Sequence, residues 1–255
     1  GIAAVEGDTY TLSFWARADK RYKGNLYVGL QSRDGSIWYA RVKVKGRIGK
    51  RWKKHTVTFT PEADADYTNF VMVADKPGTL YLDMVSLFPP TFKDRENGCR
   101  KDLAEMLVAL HPKFLRFPGG CFVEGMSKET AYEWKRTVGP LEERPGHYNA
   151  NWHYPVTDGM GYHEYLQLAE DLGAEPLYVV NVGIWHGGFE PYDQIDEYIQ
   201  NALDAIEYAN GDKHTKYGRM RIENGHPEPF NMKYIEIGNE NYQVNPREQS
   251  DHYAE

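Results

Sequence analysis

The chain has 255 residues, of which 41% are hydrophobic and 26% are charged, and its formal net charge is −7 at pH 7. This composition is typical of a globular protein with one large or two ordinary domains. The negative charge argues against a nucleic-acid partner, and no apolar run reaches the roughly 18 residues of a transmembrane helix, so no membrane partner is expected. The two cysteines, Cys99 and Cys121, form no disulfide framework and belong to no zinc-type spacing, so we expect no metal or cofactor.

Residues 1–88 have the pattern of short β-strands. Apolar and polar side chains alternate from Tyr10 to Arg17, as in a half-buried strand. Further strands are expected at Leu26 to Ser32, Ile37 to Val44, Trp52 to Phe59, Tyr67 to Ala74 and Thr79 to Leu87. This pattern predicts an antiparallel β-sandwich of jelly-roll type. Because the first long run starts only at Tyr10, the alternative that the sandwich lacks its opening strands is left open.

From Pro89 to residue 255 the pattern changes to alternating helices and strands. Helices are expected at Arg100 to Leu110, Tyr162 to Leu172 and Tyr192 to Ala209, and strands at Lys113 to Phe117, Pro176 to Asn181 and Tyr234 to Gly238. Such alternation predicts a parallel sheet, and each strand ends in polar or glycine residues, as at the active-site rim of a (β/α)₈ barrel. Three strands cannot close a barrel of roughly 250 residues, so we expect the first part of one.

The long segment between Cys121 and Gly161 shows little periodicity. It contains aromatic and turn residues, among them Trp134, His147, Trp152 and His153. Loops of this length in a compact domain are usually functional. The histidines of the chain form no recognisable metal set, and His163 is expected at the surface or in a helix cap.

Glu240 is the strongest candidate for catalysis. It follows an apolar strand directly after Gly238 and Asn239, and a carboxylic acid beside an amide at a strand end suggests glycoside chemistry. Asn239 could bond a sugar hydroxyl or serve only in a turn, and Asn181 has the same two readings. Glu236 lies deeper in the strand and is expected to form a buried structural ion pair with Arg116.

Three further residues are candidates for the sugar site. Arg116 ends a strand before Gly119 and Gly120, which allow close approach of a ligand to the backbone. Cys121 is more typical of inert packing than of a nucleophile. Trp185 follows the next strand and could be a platform on which a sugar stacks.

Several motifs together resemble glycoside hydrolase family 51, the α-L-arabinofuranosidases. They are FLRFPGGCFVEG at residues 114–125, GP at 139–140, EERPGH at 142–147, DGMGYHEY at 158–165, EDLGAEP at 170–176 and EIGNEN at 236–241. The similarity extends from about Leu82 to Tyr242, across most of the second half of the chain. In the branch that the chain resembles, a carbohydrate-binding-module-like sandwich is inserted between the first and second barrel strands.

The resemblance implies a role for each candidate. Glu240 would be the general acid/base, Asn239 would contact the sugar and Arg116 would lie at the floor of the site. Some members have Asn where this chain has Cys121, so the chain departs from their pattern at this proposed sugar contact. The family nucleophile is a Glu at the end of the seventh strand, and neither Glu248 nor Glu255 lies in a strand pattern that could replace it.

The implied protein is a retaining, exo-acting α-L-arabinofuranosidase that releases arabinose from plant polysaccharides, such as arabinan and arabinoxylan, or from oligosaccharides. The chain is expected to be an internal fragment, with residues 1–88 as the sandwich and 89–255 as barrel strands 2 to 4, and to be inactive alone. A homo-oligomer and a secreted or periplasmic location are favoured. The first residues show no signal peptide.

Two alternatives stay open. One is another retaining glycosidase with the same barrel, such as a xylanase or a β-galactosidase. The other is a non-catalytic carbohydrate-binding fragment that would use Trp15, Trp38 or Tyr39, although the sandwich could equally be a spacer.

Overall fold

A computed structural model describes residues 1–241, which form two compact units. The first unit is Gly1–Lys101, and the second begins at Asp102. The sequence predicts the boundary at Pro89, whereas the compact units divide after Lys101. The residues in between contain a 3₁₀ turn, Phe92–Asp94, and a β-bridge between Thr91 and Arg100. Among the described helices, none has the length and apolar character needed to cross a bilayer.

The first unit is a sandwich of two antiparallel sheets. Its strands are β1 (Ile2–Ala4), β2 (Tyr10–Ala18), β3 (Leu26–Gln31), β4 (Trp38–Lys43), β5 (Lys53–Phe59), β6 (Ala65–Ala74) and β7 (Leu80–Phe88). One sheet has the order β1-β6-β3-β4 and the other the order β5-β2-β7. The alternation in β2 buries Leu12 and Phe14, which pack with Val28 and Leu30 of the opposite sheet in one core.

The second unit contains a three-stranded parallel sheet flanked by helices. The unit as a whole has seven strands among its described residues: β8 (Phe114–Phe117), β9 (His147–Asn149), β10 (Tyr154–Val156), β11 (Glu175–Val180), β12 (Ile184–Trp185), β13 (Gly188–Phe189) and β14 (Tyr234–Ile237). The helices are α1 (Lys101–Ala109), α2 (Cys121–Glu124), α3 (Tyr162–Leu172), α4 (Asp196–Asn210) and α5 (Lys216–Glu223). The parallel sheet has the order β14-β11-β8, while β9 pairs with β10 and β12 pairs with β13 in two hairpins.

The two faces of the parallel sheet differ in chemistry. Phe117 and Tyr178 share a row of the sheet and pack with Tyr162 and Leu166 of α3 in the core of the unit. Since side chains alternate along a strand, Arg116 and Glu236 lie on the opposite face, away from that core. In a barrel this opposite face is the interior.

The long segment after Cys121 is ordered by short elements. It contains α2, the β9–β10 hairpin and three 3₁₀ turns, Lys128–Thr130, Trp134–Thr137 and Leu141–Glu143. Arg144, whose side chain is 4% exposed, donates from Nη1 and Nη2 to the two carboxylate oxygens of Glu164 at 3.0 and 2.8 Å. The same guanidinium also bonds the carbonyls of Gly139 and Asp158, so it closes the segment against α3.

Two local expectations differ from the structure, and one helix packs little of its apolar surface. The helix predicted from Tyr192 begins as a 3₁₀ turn, Tyr192–Gln194, and the α-helix starts at Asp196. His163 is buried rather than at the surface or in a helix cap, and its Nδ1 lies 2.8 Å from the Tyr208 hydroxyl. In α1 only Ala104 is buried, although its leucine and methionine residues have helical spacing.

Candidate active site

The candidate site lies at the carboxyl ends of β8, β11 and β14. Because parallel strands place these ends at one edge of the sheet, the segments that follow them meet there. After β8 comes α2, which carries Cys121 at its start and Glu124 at its end. After β11 comes the β12–β13 hairpin, and after β14 come Gly238, Asn239 and Glu240.

Arg116 and Glu236 form the predicted ion pair across the sheet face. Arg116 Nε and Nη2 each donate to a different oxygen of Glu236 at 2.6 Å. The guanidinium lowers the pKa of the Glu236 carboxyl below its usual value. The pair is not buried, since 34% of the Arg116 side chain and 33% of the Glu236 side chain are exposed. The reason is geometric: a sheet of three strands does not enclose its own inner face.

Asn239 is held by two charged neighbours. Its Oδ1 accepts from Arg116 Nη2 at 2.8 Å, and its Nδ2 donates to Glu124 Oε1 at 3.1 Å. Since a guanidinium can only donate and a carboxylate accepts, these two partners determine which way the amide points. Asn239 is also buried, so protein side chains alone orient its amide.

Glu240 lies on the same edge and is exposed. Its backbone has φ 46°, which is uncommon for a residue with a side chain and costs roughly 1 kcal/mol or more. Gly238, two residues before Glu240, has φ 73°, and a Cβ on Gly238 would lie 2.3 Å from the Asn241 side chain. This turn brings Glu240 Oε2 to 3.5 Å from Cys121 Sγ, which donates to it. The strained backbone is used to direct the carboxylate toward the segment that follows β8.

Cys121 behaves as a thiol rather than a thiolate. Burial raises its pKa, and the hydrogen bond to Glu240 raises it further. A thiol with a raised pKa is a poor nucleophile. Its contact with Glu240 makes it part of the same group of side chains.

Asn181 and Trp185 are placed by the segment after β11. Asn181 Oδ1 accepts from the backbone N–H groups of Gly183 and Ile184 at 2.7 and 3.1 Å, and its Nδ2 donates to the Val123 carbonyl at 3.0 Å. It therefore joins the start of the β12–β13 hairpin to α2. Trp185 is partly exposed in that hairpin, where a Cβ on Gly188 would lie 3.2 Å from its Nε1.

Glu124 and His186 are members of the site that the sequence motifs did not single out as candidates. Glu124 is 2% exposed, and its Oε2 lies 3.6 Å from His186 Nε2. Burial raises the pKa of Glu124, while the bond from Asn239 opposes that shift. The only local signal for Glu124 is its position three residues after Cys121, which places both on one turn of helix.

The arrangement can transfer a proton and orient a polar ligand. Glu240 supplies an exposed carboxyl group, and Arg116, Asn239 and Glu124 form a hydrogen-bonded row beneath it. A depression at the opposite, amino-terminal end of the strands is lined by Glu170, Glu175 and Lys233 among others, and it is remote from Glu240. The hydrogen-bonded groups converge at the carboxyl ends instead, which makes that edge the candidate site.

Replacing Arg116 with Met tests the ion pair by its pH dependence. Because the folded-state pKa of Glu236 is lowered, the pair stabilises the fold above the unfolded-state pKa, and this contribution is lost as pH falls through the folded value. We expect Arg116→Met to lower the free energy of unfolding by about 1 kcal/mol at neutral pH, a figure reduced for solvent screening. Urea unfolding at a series of pH values should show the difference shrinking in acid to the part that comes from the lost Arg116–Asn239 bond.

A double-mutant cycle with Glu236→Gln provides the control for this prediction. The coupling between the two positions should be present at neutral pH and absent once Glu236 is protonated. A coupling of the same size at every pH would show that packing, and not charge, accounts for the contact.

Comparison with known proteins places the chain in a family. The sequence model of the family described as "Alpha-L-arabinofuranosidase 1 domain" matches residues 106–255. The chain belongs to the family 51 α-L-arabinofuranosidases. A second model, "Carbohydrate binding domain", matches residues 2–78, within the sandwich.

The family 51 relatives extend over both units of the chain. Alpha-L-arabinofuranosidase 1 of Arabidopsis thaliana is 38% identical over 242 residues, which are 94% of this chain and 35% of that protein. The extracellular exo-alpha-L-arabinofuranosidase of Streptomyces chartreusis is 41% identical over 258 aligned positions, covering 94% of this chain and 30% of that protein. The chain thus spans about a third of the length of these relatives.

A solved structure agrees with the family 51 fold. The arabinose-bound structure of a family 51 α-L-arabinofuranosidase has a TM-score of 0.89 to this chain at 36% identity, and it covers 100% of this chain and 42% of its own. The predicted fold class is confirmed: a β-sandwich is followed by part of a (β/α)₈ barrel.

Proposed function

We propose that this chain is part of a retaining, exo-acting α-L-arabinofuranosidase that releases arabinose from plant polysaccharides or oligosaccharides. The observation that carries the proposal is the position of Glu240, exposed at the carboxyl end of β14 and bonded by Cys121 beside the oriented amide of Asn239. The two relatives compared above support the same activity, since both are named α-L-arabinofuranosidases.

Glu240 would act twice in this reaction. In the first step its carboxylic acid protonates the departing glycosidic oxygen while a second carboxylate attacks the anomeric carbon. In the second step the Glu240 carboxylate takes a proton from the water that releases arabinose. We infer that the second carboxylate is the seventh-strand Glu of the family. Glu248 and Glu255 lie in no strand pattern of the sequence, and both are outside the described residues.

The remaining site residues would bind and orient the sugar. An amide has two N–H donors, so Asn239 can bond a sugar hydroxyl while it keeps Glu124. Arg116 would position Asn239 and form the floor of the site. We propose contacts with the sugar for Cys121 and Trp185, and for Asn181 through the hairpin that it holds.

Two other carboxylates of the described site are committed to protein partners. Both oxygens of Glu236 accept from Arg116, and Glu124 is buried with one oxygen bonded to Asn239. Neither is suited to attack an anomeric carbon. We therefore expect the 255-residue chain by itself to give no turnover.

Turnover of aryl glycosides tests the proposed function. A polypeptide that carries this chain together with the family's seventh strand should hydrolyse an aryl α-L-arabinofuranoside at least tenfold faster than an aryl β-xyloside. Proton NMR should show the α-anomer of arabinose as the first product. Preference for the xyloside would favour another retaining glycosidase, whereas retention on arabinoxylan without any hydrolysis would favour a carbohydrate-binding protein.

The sandwich has a separate binding proposal. We propose that the first unit contributes to polysaccharide binding, supported by the match to a carbohydrate-binding domain. Of the predicted aromatics, Tyr39 packs against the core, while the guanidinium of Arg41 lies 5.1 Å from the Trp38 ring centre. Trp38 is partly buried, whereas Trp52 and Tyr81 are exposed rings, and Arg17 lies over both.

A further inference from the structure

Three side chains with metal-binding atoms converge beside Glu240. The Cys121 sulfur, a Glu124 carboxylate oxygen and a His186 ring nitrogen all lie within 4.8 Å of one another. Cys121 and Glu124 are the two ends of α2, and His186 lies in the turn between β12 and β13. The His186 backbone N–H donates to the Gly125 carbonyl at 3.0 Å, which holds that turn against the end of α2. The cluster is therefore built by backbone contacts and not by flexible side chains alone.

Two of the three groups are buried without a hydrogen-bond partner among the described residues. They are Glu124 Oε2 and His186 Nε2. The 3.6 Å between these atoms is longer than a hydrogen bond, and the Glu124 side chain is 2% exposed. Leaving a buried polar atom unsatisfied costs about 1–3 kcal/mol. A cation between the two atoms would satisfy both.

The donor set suits zinc. Thiolate sulfur, imidazole nitrogen and carboxylate oxygen are the three ligand types that Zn²⁺ takes in proteins. Bonds of roughly 2.0 to 2.3 Å put tetrahedral ligands about 3.4 to 3.6 Å apart. The Glu124–His186 separation of 3.6 Å already fits. The widest separation in the cluster would have to close by about 1 Å, which is within the reach of a side-chain rotation.

The surroundings resemble those of an open zinc site. Glu124 Oε1 accepts from Asn239 Nδ2, so the carboxylate that would bind the metal is already oriented by a neighbour. The His186 side chain is 23% exposed and Cys121 is partly exposed, which leaves a path for an ion and room for water at a fourth position.

We propose that Cys121, Glu124 and His186 bind Zn²⁺, and that the bound ion inhibits hydrolysis; the inhibition rests on the function proposed above. On binding, the S–H bond of Cys121 breaks, a Zn–S bond forms and the proton passes to solvent, without any change of oxidation state. Cys121 then no longer donates to Glu240 Oε2, which lies 3.5 Å away. Because Cys121 is also a proposed contact of the sugar, an ion on its sulfur and the substrate would compete for the same place beside Glu240.

Cobalt titration of the purified 255-residue chain tests the metal site without any assay of activity. Co²⁺ bound to a thiolate gives a sulfur-to-cobalt charge-transfer band, which Zn²⁺ should abolish by displacement. Cys121→Ser should remove the band, whereas Cys99→Ser, the matched change at the other cysteine, should leave it intact. Glu124→Gln and His186→Gln should each weaken cobalt binding at least tenfold, with circular dichroism confirming that each variant folds. Absence of the band in the folded wild-type chain, or its persistence in Cys121→Ser, would overturn the site.

The inhibition is tested separately with the longer polypeptide that contains the seventh strand. Zn²⁺ should lower arabinofuranoside turnover and a chelator should restore it, and His186→Gln should raise the inhibition constant at least tenfold, whatever its basal rate. Cobalt binding without inhibition by Zn²⁺ would overturn the inhibitory role alone. A polypeptide with no turnover on any arabinofuranoside would contradict the proposed function, while the cobalt titration would still decide the metal site.

Discussion

In the longer polypeptide that contains the seventh strand, Glu240→Gln is expected to lower kcat/KM for an alkyl α-L-arabinofuranoside by about 10²- to 10⁴-fold, the usual contribution of a positioned general acid. An alkoxide is a poor leaving group, so bond cleavage needs the proton that Glu240 supplies. Gln keeps the size of the side chain but has no acidic proton to give. The Cys121 contact and the neighbouring Asn239 should leave the rest of the site in place.

The leaving group separates a catalytic role from a structural one. For a dinitrophenyl arabinofuranoside, whose leaving anion is stable, kcat/KM should change little, because that ratio reports the first step alone. Azide should then raise kcat by attacking the arabinosyl-enzyme in place of activated water. Glu105→Gln on the exposed surface of α1 is the matched control and should behave as the wild type. An equal loss on alkyl and dinitrophenyl substrates would mean that Glu240 supports the fold and not proton transfer.

Trp134→Ala is expected to reduce the stability of the second unit by about 3–5 kcal/mol. Trp134 is fully buried, and its ring lies 5.1 to 5.5 Å from the rings of Tyr162, Tyr208 and Tyr217. These tyrosines belong to α3, α4 and α5, so one side chain joins three helices. Its Nε1–H also donates to the Asn201 carbonyl at 3.1 Å. Removing it leaves a cavity where the three helices meet.

Trp152→Ala is the matched control, because the side chain of Trp152 belongs to the same unit and is 53% exposed. It should change stability by no more than about 0.5 kcal/mol. Hydrogen exchange at the amides of α3, followed during urea unfolding, measures the stability of the second unit specifically in each variant. Similar stability losses in the two variants would contradict the central position given to Trp134.

Much of the fold follows from local sequence rules. The range of α3 agrees with its 3.6-residue apolar spacing, and Gly173 ends it with φ 67° in the left-handed conformation. Strand β2 follows its period-2 alternation. Helix α5 has no such signal, since it is short and its sequence is mostly polar. It is stabilised instead by Arg221, a fully buried residue that donates to the carbonyls of five residues.

The candidate site was predictable only in part, because some of its contacts join segments that are distant in the sequence. Residues at strand ends, such as Arg116, Asn239 and Glu240, follow from the rule that parallel sheets carry chemistry at their carboxyl edge. The approach of His186 to Glu124 depends on two loops from neighbouring strands and on a backbone bond to Gly125. No periodicity or spacing within either segment encodes that distance. The exposure of the Arg116–Glu236 pair likewise depends on how many strands surround it.

The most direct measurement is the crystal structure of the protein, with the family's later strands present, bound to an arabinofuranoside. The account predicts the Glu240 carboxyl group within about 3 Å of the glycosidic oxygen. It also predicts a second carboxylate about 5–5.5 Å from Glu240, on the other side of the anomeric carbon. A sugar bound at the carboxyl ends of the strands with Glu240 turned away from that oxygen would contradict it, as would a sugar bound only on the sandwich.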